Sequence, residues 1–216
     1  MSSQIRGGTR WKRFALVMVP SVVATAAVGV GLAQGALAAS FSISGQDFKV
    51  TADSLEGDNF VQYGNVAKGG AGSHPVAVSG FSHAEITNMC QSVVTDIPYI
   101  GKWTLTLTAG TKADKPVVAD NLYLDVSQLD ADAEFKNIDI GVAANSLGKE
   151  SNGNFGTQPN TGATDGAAAY GFGQRAEHAT LTNVEQRAWA TTAGTFKLSN
   201  LSLRLNAGAN ECQLKK

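Results

Sequence analysis

Histidine and cysteine are scarce in this chain, with three of the first and two of the second among 216 residues. His74, His83 and His178 are scattered and Cys90 lies far from Cys212, so no ligand run has the spacing of a metal or haem site. No Gly-x-Ser-x-Gly string occurs, which excludes the strand-to-helix nucleophile elbow of an α/β-hydrolase. Ser146-Leu-Gly-Lys149 matches Ser-x-x-Lys, but it sits in Gly/Asn-rich sequence where no helix would hold the lysine against the hydroxyl. A Ser/His/acid set assembled in space is recognised by geometry rather than order, and nothing in the sequence points to one. No cofactor is expected. Also missing beyond the first forty residues is any long apolar stripe of helical period.

What is present begins with a leader. Arg6, Arg10, Lys12 and Arg13 precede an uncharged apolar run from Phe14 to Leu32. Ala36-Leu37-Ala38 then supplies the small residues of a signal-peptidase site, with Ala39 as the mature start. Residues 1–38 therefore read as a signal peptide for Sec-type export, ending in an extracellular or cell-envelope location. A retained membrane anchor is the alternative, since roughly 20 apolar residues suffice to cross a bilayer and residues 14–32 could make that contact. Pro20, Gly29 and Gly31 weigh against it by loosening the helix.

Cleavage leaves 13 basic against 18 acidic residues, a net charge of −5. An acidic domain without a basic stripe is poorly suited to neutralising phosphates, so nucleic acid is excluded as a partner. In an exported protein an isolated cysteine pair is expected to be bridged, so Cys90 and Cys212 are assigned to one disulfide that ties down the C-terminus.

Period-two alternation dominates the mature chain, in Phe48-Lys-Val, Trp103-Thr-Leu-Thr-Leu-Thr, Asn121-Leu-Tyr-Leu-Asp-Val and Phe196-Lys-Leu-Ser-Asn-Leu-Ser-Leu-Arg-Leu. Gln174 to Trp189 also reads as strand, because Thr180, Thr182 and Asn183 oppose a helix. The expectation is one all-β domain over residues 39–216, an antiparallel sandwich or strongly curved sheet. A β-solenoid is the alternative. A phrase with Asn before alternating apolar residues recurs at Asn121, Asn137 and Asn200, and a related one at Asn88, Asn137 and Asn183. Asparagine tolerates left-handed backbone, so these residues predict turns or bulges at strand entries. The copies at Asn88, Asn137 and Asn183 are too far apart and too irregular for solenoid coils. Tyr63 to Pro75 and the Gly/Asn-rich 146–173 read as loops, the second as a flexible excursion.

Two sets of residues are candidates for binding. Asp130, Asp132 and Glu134 alternate, a pattern that places three carboxylates on one strand face; calcium is the functional option and a solvated face the structural one. Trp103 and Trp189 read first as core, but with Phe196, Leu198, Leu201, Leu203 and Leu205 they could line an apolar groove for a lipid or other hydrophobic partner. In that groove the residues from Phe196 to Leu205 form one wall with their apolar side chains inward.

Several stretches together resemble an actinobacterial exported family of unknown function: Arg10-Trp-Lys-Arg-Phe-Ala-Leu-Val, Gly31-Leu-Ala-Gln-Gly-Ala-Leu-Ala-Ala-Ser-Phe, Ile86-Thr-Asn-Met-Cys-Gln-Ser, Asn137-Ile-Asp-Ile-Gly-Val-Ala-Ala and Ala188-Trp-Ala-Thr-Thr-Ala-Gly-Thr-Phe-Lys-Leu-Ser. Some of its members carry an automatically assigned cholesterol esterase name, which implies a lipid connection and assigns no site residue. The expected function is a non-catalytic envelope or extracellular domain that binds a lipid-like or other surface component. The alternative is a secreted lipid or sterol esterase, a carboxylic ester hydrolase with a non-standard active site.

Overall fold

The computed structural model describes residues 45–69, 72–112, 114–147 and 171–214. The leader, with Ala36, Ala38, Ala39 and the apolar run 14–32, lies outside the described residues, as does most of 146–173. Residues 42–216 form one compact unit that holds every strand among the described residues, both apolar clusters and the disulfide.

Nine strands follow in chain order among the described residues: β1 (Phe48–Gly69), β2 (Gly72–Thr87), β3 (Met89–Ile97), β4 (Gly101–Ala109), β5 (Val117–Lys136), β6 (Asp139–Ala143), β7 (Phe172–Thr192), β8 (Thr195–Lys197) and β9 (Ser202–Ala207). One 3₁₀ turn, Ala144–Ser146, is the only helical element among these residues. All strand pairings are antiparallel, so the strongly curved sheet is what forms and the stacked coils of a solenoid are not. The sheet closes, because β1 pairs with β2, β2 with β5, β5 with β7, and β7 again with β1.

Closure uses strands far longer than the usual five or six residues. Ala119 on β5 pairs with Ala84, Ala84 with Gly57, Gly57 with Ala179, and Ala179 with Phe135, which is again on β5 but near its other end. The first half of β5 therefore serves β2 and the second half serves β7. Such steep winding requires local bends, and each barrel strand has an asparagine in left-handed backbone within it or at its end. These are Asn59 in β1, Asn88 after β2, Asn121 in β5 and Asn183 in β7, all with φ between 48° and 53°. Their amides tie neighbouring strands: Asn59 donates to Ser82 Oγ at 2.9 Å, Asn88 to both Asp53 oxygens at 3.1 Å, and Asn183 to Asp132 at 2.8 Å. The expected left-handed asparagines Asn88, Asn121, Asn137, Asn183 and Asn200 are all present, but Asn121 and Asn183 sit inside a strand rather than opening it, as does Asn59, which no repeated phrase marks.

The inner face packs Phe60, Phe81 and Phe135, with Phe60 5.3 Å from Phe81 and 5.2 Å from Phe135 between ring centroids. The ring of paired small residues makes room for them, and Ala84, Ala119 and Ala179 are fully buried. A second cluster, including Val61, Tyr63, Val78, Ala144 and Leu147, covers the other face of the same strands. Tyr63 to Pro75, expected as a loop, is paired almost to its tip, because hairpin hydrogen bonds override its glycines. Near the C-terminal end of the predicted long loop, Phe172 and Gly173 already belong to β7.

From one end of the barrel β3, β4 and β9 extend as an apron. After β9 the chain turns back across one face of it. Thr104 Oγ1 donates to Gly208 O at 2.6 Å and accepts from Asn210 N at 2.8 Å, Cys212 N donates to Ser92 Oγ at 3.0 Å, and Cys90 is bonded to Cys212. Arg187 holds Glu211 at 2.8 Å and Asp47 at 3.0 Å.

Two consequences can be measured. A Cβ on Gly57 would meet Phe81 Cδ1 at 2.4 Å and His83 O at 3.1 Å, so Gly57→Val should cost about 1–3 kcal/mol of stability in urea unfolding of residues 42–216. Alkylation without reductant should leave both cysteines unlabelled. Reduction should lower unfolding stability by up to about 4 kcal/mol, given a crosslink spanning 122 residues.

Candidate functional site

The predicted apolar groove is only partly assembled. Residues opposite each other in a ladder share a face. Trp103 pairs with Ala207, Leu105 with Leu205 and Leu107 with Leu203, so Trp103, Leu203 and Leu205 do share one side of the apron. Phe196 and Leu198 pack at the barrel end of it. That surface is open, with Leu201 52%, Leu203 60% and Leu205 62% exposed, so these side chains point outward and not into a groove. The expected single strand is broken between β8 and β9, where Asn200 takes φ 54° and Gly110 N donates to Ser199 O. Trp189 lies elsewhere, stacked at 3.6 Å on His74 beside the second cluster.

Asp130, Asp132 and Glu134 are exposed on β5. Asp130 accepts from Gln128 and Asp132 from Asn183, and among the described residues no three His, Cys, Asp or Glu side chains are placed to hold a metal ion.

A cleft that the sequence did not reveal opens into the barrel. It encloses about 190 Å³, and all four barrel strands contribute to it. Phe60, Phe81, Phe135, Leu124 and Leu181 form apolar walls, and Leu129, Ala131 and Ala133 of β5 form the rim. One side is polar: Gln174 Nε2 donates to Gln62 Oε1 at 2.6 Å, and Gln62 Nε2 donates to Ser79 Oγ at 2.9 Å, with Gln186 nearby. Apolar walls with a few convergent amides and hydroxyls are the usual composition of a small-molecule site in a barrel mouth. Gln62 shares a face with Phe60 two residues before it, but Phe60, Phe81, Phe135 and Gln174 are far apart in sequence, so no local pattern marks the set.

A larger hollow of about 440 Å³ lies on the strapped face of the apron, lined by Thr51, Thr106, Thr108, Asp53, Asn88 and Arg204 among others. Leu214 is its only large apolar side chain, so the barrel cleft is the better enclosure for an apolar group.

Histidine chemistry is committed elsewhere. His83 Nδ1 lies 2.7 Å from Asp120 and His178 Nδ1 lies 2.8 Å from Asp58. Asp58 pairs with both His83 and His178, and His83 with Asp120, so the four form a belt on the outside of the barrel. Ser82 donates to Asp58 O, Ser127 to Arg187 O and Ser146 to Ala143 O. Among the described residues no serine hydroxyl is hydrogen-bonded to His83 or His178, each of which is paired with an aspartate.

The family model that matches covers residues 44–213 and describes a family of unknown function. The chain belongs to that family, DUF6230. No curated protein and no solved structure matches it significantly. The match spans every strand, the barrel cleft, the His–Asp belt and the disulfide, so these are features of the DUF6230 region itself. Among the described residues no helix is long and apolar enough to cross a membrane, and the disulfide fits an oxidising compartment.

Burial also perturbs one carboxyl beside the second cluster. No side-chain hydrogen bond or ion pair reaches the Asp125 carboxyl among the described residues, and desolvation raises its pKa. The folded state thus holds the proton more tightly than the unfolded chain, which makes the ionised group destabilising at neutral pH. Asp125→Asn should raise the urea midpoint at pH 7, and the difference from the native chain should close below about pH 4, where both states are protonated.

Proposed function

We propose that this DUF6230 chain is an exported, non-catalytic β-barrel domain of the cell envelope or extracellular space that binds part of a lipid-like molecule in the barrel cleft. The observation that carries this reading is the cleft itself, with phenylalanine and leucine walls and an amide–hydroxyl cluster on one side. An acyl chain suits the walls, and the Gln62–Gln174–Ser79 cluster offers donors and acceptors to a polar end. Pockets that engulf whole drug-sized ligands run to roughly 300–1,000 Å³. A fused sterol belongs to that larger class, whereas 190 Å³ suits one chain end.

Export is supported by the basic and apolar leader with its Ala-x-Ala exit and by the Cys90–Cys212 bond. A binding role rather than ester hydrolysis is supported by Ser82, Ser127 and Ser146, whose hydroxyls are bonded to backbone oxygens and not to His83 or His178. The test is titration of residues 42–216 with a fluorescent medium-chain fatty acid, alongside an assay of acid release from short acyl esters. Saturable binding is expected, weakened at least about tenfold by Ala133→Trp, which fills the rim without removing core, and no ester is cleaved. Absence of binding would refute the lipid site. Ester turnover abolished by a single Ser→Ala change would replace binding with catalysis.

A further inference from the structure

The apron formed by β3, β4 and β9 has its two faces distributed in an unusual way. On one side lie the rows Gln91–Leu107–Leu203, Val93–Leu105–Leu205 and Thr95–Trp103–Ala207. No charged residue occurs in them. Every charge of the three strands, Asp96, Lys102 and Arg204, faces the other way. That charged and hydroxyl-bearing face is the one already crossed by the C-terminal strap, through Thr104, Ser92 and the disulfide. The leucine face is left to water, with Leu203 and Leu205 each more than half exposed.

We propose that this leucine face seats a second copy of the same chain, packed face to face about a two-fold axis. Area and charge both favour that occupant. Leu105, Leu201, Leu203, Leu205 and Phe196 leave roughly 500 Å² of apolar side chain in water, at the upper end of what a monomer exposes in one patch. That is more than half of the ~800 Å² each partner hides in a stable complex, and Trp103, Thr95 and Gln91 supply further area at the margins. A face without charge gives no handle to a charged partner, and the acidic balance of the domain opposes an anionic membrane. Self-association needs only that the leucine rows of one copy interdigitate with those of the other, as in a β-sandwich with sheets about 10 Å apart. The proposal is independent of the barrel cleft, which opens between other strands.

Sedimentation equilibrium of residues 42–216 tests it, with hydrogen exchange of β9 as a second measurement. A reversible dimer is expected, with protection of Ser202–Ala207 that rises with protein concentration. Leu205→Glu, a change at an exposed position, should weaken the dimer about 100-fold. Arg204→Ala on the opposite face should leave it unchanged. A monomer at every concentration would overturn the proposal, as would a dimer indifferent to both Leu203→Glu and Leu205→Glu. So would a monomer that cosediments with phosphatidylcholine/phosphatidylglycerol vesicles and loses them on Leu205→Glu, since the face would then belong to a lipid surface.

Discussion

Everything in this structure depends on bending four long strands far enough to close on one another. An extended strand of twenty residues is stiff, and twist alone curves it gradually. The left-handed asparagines supply the abrupt component, one in or after each of β1, β2, β5 and β7. A left-handed residue costs backbone strain for any side chain other than glycine, and asparagine is the residue that bears it with least penalty. Glycine would remove the strain but also the tie, since Asn59, Asn88 and Asn183 each hold the adjacent strand through their amides. Bend and crosslink thus come from one side chain.

Closure then dictates what can lie inside. Where Ala119, Ala84, Gly57 and Ala179 meet across successive ladders, their small side chains leave space that the rings of Phe60, Phe81 and Phe135 occupy. One residue further along, the same ladders bring Asp58, His83, Asp120 and His178 together on the outside. The inner ring and the outer belt are two faces of a single register, so a one-residue slip would bury carboxylates and imidazoles while exposing the alanines. The His–Asp pairs therefore read as register marks on the outer face of the barrel.

Much of this was legible in the sequence, for definite physical reasons. Alternation in Trp103–Thr108 and Asn121–Val126 marks strands because side-chain direction has period two, and Asn88, Asn137 and Asn183 stand out because few residues tolerate positive φ. Compartment logic paired Cys90 with Cys212. What alternation cannot encode is which of the two faces turns inward. Phe196 to Leu205 follows the rule of a buried strand, yet Leu203 and Leu205 face water because the break at Asn200 and the strap on the opposite face decide the matter. The cleft was hidden for a different reason. Its walls come from positions such as Phe60, Phe135 and Gln174, which only closure brings together.

The strap also explains why the polar face of the apron, and not its leucine face, became the covered one. A threonine- and serine-bearing surface can satisfy the backbone of an irregular segment, as Thr104 and Ser92 do for Gly208, Asn210 and Cys212, whereas a leucine surface would leave those amides and carbonyls unpaired. An irregular C-terminus could therefore dock on only one side. The apolar side can be covered well only by something that brings no unpaired backbone polar groups of its own, and a second sheet meets that condition because its ladder bonds are already made within its own plane.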